Sequence, residues 1–166
     1  MAAVLRILGI DCGSRITGYG VIESDGRSQR AVAYGAIRVP AGPDLGKRLC
    51  VVAEGIGQVL EAWEPDEAAV EDVFTGLNVR SALVLAHVRG VAMMCAAKAG
   101  LCVASYTAAQ VKGSVSGHGS AGKEQVRLMV RTLLGVREEI RPLDASDALA
   151  VAYCHANLRN SRRGRG

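Results

Sequence analysis

Four carboxylates occupy positions in the sequence where a negative charge is costly and therefore suggests chemistry. Asp11 ends the apolar run 4–10, and Glu71 ends a second short apolar stretch. Asp144 and Asp147 lie three residues apart, so they share one face of the first turn of a predicted helix. A charge beside an apolar core is unfavourable unless something pairs with it. Clustered carboxylates of this kind are typical ligands of Mg²⁺ or Mn²⁺.

Some of these acids also have simpler interpretations when each is taken alone. Asp11, which Gly13 follows closely, can accept hydrogen bonds from the amides of a turn. Asp144 can cap the helix that it begins, where the helix dipole favours an acid. Asp147 is harder to explain in this way, because the apolar residues around it indicate packing against the core. Two divalent ions about 4 Å apart, held by such acids, are the usual arrangement for in-line phosphoryl displacement.

The hydrophobic periodicity predicts the elements that would bring these acids together. A meander of three strands precedes alternating helices and parallel strands, which predicts a mixed five-stranded α/β sheet flanked by helices. Asp11 and Glu71 then end adjacent parallel strands, at the edge where sites form in such sheets. Asp72 points to the opposite face and is excluded from the site. Glycines near Asp11 are interpreted as hairpin residues that keep the approach to it open: Gly13, Gly18 and Gly20. The predicted strands span 4–11, 17–23, 30–39, 67–73 and 101–105, and the helices span 45–63, 79–99, 125–134 and 143–157, with one helical turn at 107–112 and a flexible loop at 113–122.

The composition fits a globular domain with an aliphatic core. The chain has 166 residues, of which 49% are hydrophobic and 4% aromatic, and its net charge is +4. We expect one domain at 1–158 and a basic, disordered tail at 159–166, which serves either phosphate affinity or solubility. The sequence shows no apolar run of membrane-spanning length and no signal peptide, so we expect a cytoplasmic protein without a membrane partner.

The predicted helix 79–99 is apolar nearly all round, which indicates burial on more than one side. Its residues are mostly small or aliphatic, with no wide polar stripe. Burial inside the core and burial in a dimer interface account for this pattern about equally well.

Motifs along nearly the whole chain resemble the RuvC family of Holliday junction resolvases. They are GIDCGSRITGYGVI, AVEDVF, Arg89–Gly90, QVK, GHGSAGKEQV and DASDALAVA, which lie in the family's order and spacing between Leu5 and about His155. The resemblance implies a ribonuclease-H-like fold and a homodimer. It also implies symmetric nicking of two opposed strands of a four-way DNA junction, in recombination and repair, leaving 5′-phosphate and 3′-hydroxyl ends. The implied cofactor is Mg²⁺, two ions per site, with Mn²⁺ as a substitute. The implied partners are junction DNA and the branch-migration proteins RuvA and RuvB.

The resemblance also assigns roles residue by residue. The family's catalytic, metal-binding positions are matched by Asp11, Glu71, Asp144 and Asp147. Some members have His at the third of these positions, so the resemblance implies an all-carboxylate site here. Lys112 and Lys123 match basic positions that assist phosphate binding and catalysis.

Further residues match positions that contact DNA in the family. Phe74 matches an aromatic near the junction centre, where it can stack on an opened base; core packing is the alternative for this side chain. Leu77 stands where many members have a basic residue, which puts one phosphate contact in doubt, and Arg80 is a substitute for it. The implied DNA-binding residues are Phe74, Asn78, Arg80, Arg89, Lys112 and Lys123.

Three other functions compete with a junction-resolving nuclease. An actin-like ATPase also has an Asp-x-Gly turn after its first strand, but it needs a second domain with a second phosphate loop. A non-catalytic nucleic-acid-binding module does not need clustered acids, which repel phosphate. A ribonuclease-H-like RNA-processing nuclease is the nearest rival, and Phe74 with the two lysines favours the junction enzyme over it.

Overall fold

The protein is a three-layer sandwich with one mixed sheet between two groups of helices. The computed structural model describes residues 4–42, 44–73, 76 and 78–163, of which 160–163 are described by their backbone alone. The sheet has the strand order β3-β2-β1-β4-β5. Its strands are β1 (Leu5–Asp11), β2 (Ile16–Ser24), β3 (Gln29–Arg38), β4 (Glu67–Glu71) and β5 (Cys102–Tyr106). The helices are α1 (Leu45–Trp63), α2 (Val79–Lys98), α3 (Ala108–Ser116), α4 (Lys123–Leu133) and α5 (Leu143–Arg163).

The strand pairing confirms the predicted topology. β1 pairs antiparallel with β2, and β2 pairs antiparallel with β3, which makes the meander. β4 runs parallel to β1 and β5 runs parallel to β4. The five-stranded α/β sheet is therefore as expected, and the carboxyl ends of β1, β4 and β5 point to the same edge.

Two hydrophobic clusters, one on each face of the sheet, hold the layers together. Successive residues of β1 point to opposite faces of the sheet, so Ile7 belongs to one cluster and Leu8 and Ile10 belong to the other. The first cluster packs under α3, α4 and α5, and the second packs under α1 and α2. Residues of β1 with odd numbers therefore face α5.

Glycines in β1 and β2 allow α5 to approach the sheet very closely. A Cβ added at Gly9 would lie 2.1 Å from the Ala148 carbonyl oxygen of α5. A Cβ at Gly18 would lie 2.0 Å from the Asp144 carbonyl oxygen. The interpretation of Gly18 as a hairpin residue that keeps an approach open is therefore wrong, because helix backbone fills the space above it. Gly20 likewise lies under α5, against Leu149, whereas Gly13 sits in the β1–β2 turn against the Ile16 carbonyl.

The chain is more helical near its end than the sequence predicted. Residues 108–116 form helix α3, so the predicted loop at 113–122 begins later, after the left-handed Gly117. A capping box between Thr107 and Gln110 fixes the start of α3. Helix α5 continues through 163, beyond the end at 157 that the sequence predicted. Arg159 pairs there with Glu67 at 2.8 Å, which holds this part of the helix against β4.

Helix α2 corrects the expectation about membrane-spanning length. By length and composition this helix is apolar enough to cross a membrane. Only 17% of this apolar stretch is buried within the chain. Val88, Ala92 and Ala96 face the core, whereas Leu83 and Met94 are about half exposed. Core burial within this chain therefore does not account for the whole apolar surface of the helix.

We predict that Gly9→Ala lowers the free energy of unfolding by about 2–3 kcal/mol or more, because the new methyl group meets helix backbone that cannot move alone. Chemical denaturation measures this loss. The matched control is Gly57→Ala on the exposed side of α1, where nothing lies within 4 Å of an added Cβ. That control should gain stability, by up to about 1 kcal/mol. Equal effects of the two substitutions would contradict the close approach of α5.

Candidate active site

Asp11 and Glu71 meet at the carboxyl edge of the sheet, as the sequence predicted. The parallel register places Ile10 opposite Val70, so the next residue on each strand is one of these acids. Asp11 is on the α5 side of β1, by alternation from Gly9. Glu71 is on the α5 side of β4, because Glu67, four residues earlier, hydrogen-bonds to residues of α5. Both carboxylates therefore face the same helix.

Helix α5 brings the other two acids to that edge. Gly18 pairs with Asp11 across the β1–β2 ladder, and the Asp144 backbone lies directly over Gly18. Asp147 follows within one turn of the helix. The close packing of α5 on glycine thus fixes how near its first turn lies to Asp11.

The electrostatics show that the four acids share one environment. Burial is the largest cause that raises the pKa of Asp11 to about 7, and the charges of Asp147, Glu71 and Asp144 contribute to this increase in that order. Burial also raises the pKa of Glu71, and the charge of Asp147 adds to the effect. These shifts reflect mutual repulsion between carboxylates in a poorly hydrated place.

Three of the acids line a cleft with the two predicted lysines. The cleft has a volume of about 200 Å³. Its charged lining residues are Asp11, Glu71, Asp147, Lys112 and Lys123. Asp144 is not among the lining residues, although it acts on Asp11 through its charge. A larger groove on the α1 side of the sheet has Glu54 as its one charged lining residue, so it offers less chemistry.

The lysines reach the cleft from two short helices. Lys112 lies on α3, and Lys123 is the first residue of α4. The charge of Lys123 offsets part of the increase in the pKa of both Asp11 and Glu71. The charge of Lys112 does the same for the pKa of Glu71. Both lysines are therefore close enough to compensate part of the acid charge.

The donor set of the cleft fits a hard divalent cation. Carboxylate oxygens are the ligands that Mg²⁺ and Mn²⁺ prefer, and the charge of Lys123 does not offset the burial and the acidic neighbours that raise the pKa of Asp11. In this conformation the acids are not closed into a cage. Among the described residues, no group of three or more His, Cys, Asp or Glu side chains is arranged to hold a metal ion.

Arg127 is a charged neighbour of the cleft that the sequence did not reveal. Its Nε donates to Asp147 Oδ1 at 3.2 Å and its second guanidinium nitrogen donates to Oδ2 at 3.1 Å. Its other nitrogen donates to Glu124 at 3.1 Å. The Arg127–Asp147 pair joins residues that are twenty positions apart, on α4 and α5. The one sign in the sequence that Arg127 lies near the cleft is its position one turn after Lys123, on the same face of α4.

The other predicted DNA-binding residues have varied surroundings. Arg89 donates to the Glu71 carbonyl at 3.1 Å and pairs with Asp72 at 2.9 Å, so it supports the end of β4. Asn78 caps α2 by accepting a hydrogen bond from the Ser81 amide. Arg80 is exposed on the first turn of α2. Phe74 and Leu77 lie outside the described residues.

Comparisons with known proteins agree on one family. A model of the family described as crossover junction endodeoxyribonuclease RuvC matches residues 7–155. Relatives of that name from Moorella thermoacetica and Geobacter sulfurreducens are 48% and 51% identical to this chain. The alignments cover 93% and 92% of this chain and 92% and 93% of the relatives. A solved structure of Thermus thermophilus RuvC in complex with a Holliday junction has a TM-score of 0.89 at 31% identity, covering 95% of this chain and 96% of that one.

We predict that Asp11 makes the metal-free protein less stable as the pH rises. The folded protein keeps the Asp11 proton to about pH 7, whereas the unfolded chain loses it near 3.8, so the folded state binds more protons in between and stability falls with pH. Relative to Asp11→Asn, wild type should lose roughly 2 kcal/mol of stability between pH 5 and pH 8. Urea denaturation in EDTA measures both curves.

The control for this prediction is Asp72→Asn, which changes an acid on the opposite side of the same edge. Its stability should run parallel to wild type over the same pH interval. If Asp11→Asn also ran parallel to wild type, the raised pKa of Asp11 would be contradicted.

Proposed function

The chain belongs to the RuvC family of crossover junction endodeoxyribonucleases, and from that premise we propose that its four-acid cleft is the site at which it resolves Holliday junctions. The enzyme nicks two opposed strands of a four-way DNA junction symmetrically, in recombination and repair. The observation that carries the assignment to this cleft is the convergence of Asp11, Glu71 and Asp147 with two lysines, and the charge of Asp144 acts on the same place. The structural relative that binds a Holliday junction supports junction DNA as the substrate.

The enzyme depends on a divalent metal, and we assign this role to Mg²⁺, two ions per site, with Mn²⁺ as a substitute. The residues that hold the ions are Asp11, Glu71, Asp144 and Asp147. When bound, the ions supply an activated water and stabilise the leaving oxygen. The four carboxylates are then relieved of the repulsion that raises the pKa of Asp11.

The side chains of the cleft bind and orient the scissile phosphate. Lys112 and Lys123 offer ammonium groups to its oxygens, which counters the repulsion between the phosphate and the acids. Water attacks phosphorus and releases a proton, the bond from phosphorus to the 3′ oxygen breaks, and that oxygen takes up a proton. The products are a 5′-phosphate and a 3′-hydroxyl.

DNA outside the cleft is bound by residues on the segment between β4 and α2 and on α2 itself. Phe74 stacks on a base near the junction centre, a contact worth about 1–3 kcal/mol in other proteins. Asn78 and the exposed Arg80 contact the backbone beside it. Arg89 acts by holding the end of β4, since its guanidinium is engaged with the Glu71 carbonyl, Asp72 and Ser105.

We assign the exposed apolar face of α2 to a homodimer interface. An open apolar groove of about 400 Å³ lies between this helix and α1. It is lined by Leu49, Leu83, Ala86, His87, Gly90, Val91 and Met94. A two-fold dimer on this face gives two equivalent active sites, which matches a substrate with two equivalent strands.

The place of the enzyme in the cell follows from its substrate. We assign it to the cytoplasm, where chromosomal junctions form in bacteria. Its partners there are the branch-migration proteins RuvA and RuvB, an assignment that rests on family membership.

The rival functions are weaker on the same observations. An actin-like ATPase needs a second domain of the same type, and 95% of this chain aligns with a single nuclease chain. An RNA-processing nuclease of similar fold would use the same acids, so substrate preference decides between the two. The decisive substrates are a synthetic four-way junction, a linear duplex and an RNA–DNA hybrid.

We predict that wild type in Mg²⁺ makes paired, symmetric nicks in the four-way junction and leaves the linear duplex and the hybrid largely intact. Asp147→Asn should lower the cleavage rate at least about a thousandfold, because a metal ligand loses its charge. Junction binding should persist, since removing an acid weakens repulsion of phosphate. Denaturing gels of end-labelled strands and a gel-shift assay measure these two effects.

Glu61→Gln is the matched control, because Glu61 is an exposed acid on α1, across the sheet from the cleft. This variant should cleave the junction at close to the wild-type rate. Near-wild-type nicking by Asp147→Asn would remove Asp147 from the catalytic set, and preferential cleavage of the hybrid would favour the RNA-processing alternative.

We predict that Leu83→Asp converts a dimer to a monomer without unfolding it, because the side chain is 55% exposed in the single chain. Light scattering coupled to size exclusion measures the mass, and circular dichroism confirms the fold. Leu128→Asp is the control, since Leu128 on α4 is exposed to a similar extent, 58%. A wild-type monomer, or equal loss of mass in both variants, argues against the interface on α2.

A further inference from the structure

Arg127 makes a bidentate hydrogen-bonded contact with the carboxylate of Asp147. Two of its nitrogens lie 3.2 and 3.1 Å from the two oxygens of this carboxylate, which is the fork geometry of strong arginine–carboxylate pairs. The side chain of Arg127 is 16% exposed and that of Asp147 is 30% exposed. Partial burial shields the pair from solvent, so it is stronger than an ordinary surface ion pair.

This pair has a special place among the charges of the cleft. Among the ion pairs between described residues, it is the one that includes a carboxylate of the four-acid set. The lysines act on the acids through space, whereas Arg127 contacts both oxygens of one of them. In the metal-free protein Arg127 is therefore the direct counterion of the cluster.

The same contact opposes a divalent ion at Asp147. A metal ion and the guanidinium compete for the same two carboxylate oxygens, and both are positive, so each raises the free energy of binding the other. A second acid on α4 can receive Arg127 when it leaves, since Glu124 already accepts a hydrogen bond from it at 3.1 Å. The guanidinium therefore does not become unpaired on leaving Asp147.

We propose that Arg127 is a positioning residue that holds Asp147 in the metal-free enzyme and is displaced from it by the incoming metal. Arg127 thereby stabilises the empty cleft and weakens its affinity for metal. The inference rests on the proposed function, in which Asp147 is a metal ligand. It concerns a residue on α4 that is outside the four-acid set.

The displaced guanidinium would lie beside the path of the DNA. Arg127 is one turn after Lys123 on α4, and Lys123 lines the cleft. Metal loading then moves a positive charge away from Asp147 and leaves it on the face of α4 that carries Lys123. The loss of the Arg127–Asp147 pair thus leaves Arg127 beside Lys123, paired with Glu124 alone.

The test measures binding of Mn²⁺ alone, without DNA, by the electron paramagnetic resonance signal of the free ion. Arg127→Gln should bind Mn²⁺ roughly tenfold more tightly than wild type, because a partly buried competing pair has been removed. In EDTA the same variant should melt at a lower temperature than wild type. Saturating Mn²⁺ should raise its melting temperature by more than it raises that of wild type.

Two further variants make the result specific. Arg131→Gln removes the same charge one turn further along α4 and should leave Mn²⁺ affinity within about twofold of wild type. Arg127→Lys keeps the charge without the fork and should give an intermediate affinity. If Arg127→Gln does not fold, Arg127→Lys against wild type decides the question by the same criterion.

The outcomes separate this inference from the proposed function. Asp147→Asn is measured in parallel and should bind Mn²⁺ more weakly than wild type. If it does so while Arg127→Gln binds with unchanged or weaker affinity, Arg127 is not a competitor and the inference is overturned. If Asp147→Asn binds Mn²⁺ as wild type does, Asp147 is not a ligand, and the proposed metal site itself is wrong.

Discussion

The close contact between α5 and the glycines of β1 and β2 is the constraint on which the rest of the structure depends. Gly9 and Gly18 leave no room for a side chain, so the helix backbone rests directly on the strands. Because Asp144 and Asp147 lie near the start of that helix, the same contact sets their separation from Asp11. A larger residue at Gly18 would lift the acid-bearing end of α5 and open the cleft. Fold stability and site geometry therefore rest on the same few glycines.

That geometry places like charges together at a free-energy cost that the protein meets in several ways. The pKa of Asp11, raised to about 7 by burial and by its acidic neighbours, shows that the cost is substantial in the absence of metal. Lys112 and Lys123 offset part of it from the cleft lining, and Arg127 offsets more by direct contact with Asp147. Unfavourable charge in the metal-free cleft favours a cation there, and the guanidinium of Arg127 supplies positive charge at the two oxygens of Asp147.

Much of the fold and most of the site could be predicted from the sequence, for identifiable reasons. The strands and the four acids were predicted because alternation, turn residues and helical spacing are local signals, and the topology rules place Asp11 beside Glu71. The roles of Gly18 and Arg127 were missed because each depends on a contact with α5 from a distant part of the chain. Helix α3 was underestimated because its second half, GSVS, has poor helix propensity, and its capping box and core contacts through Val111 and Val115 outweigh that.

The far end of α5 explains how the helix tolerates acids at its beginning. His155 Nε2 lies 2.6 Å from Glu67, and the Tyr106 hydroxyl lies 2.8 Å from His155 Nδ1, so the imidazole can donate to the acid and accept from the phenol. Burial alone would raise the pKa of Glu67, but hydrogen bonds from Arg159 and His155 hold it below its usual value. This partly buried pairing stabilises the second half of the helix against β4. Repulsion at the cleft end therefore acts on a helix whose other end is anchored to the sheet.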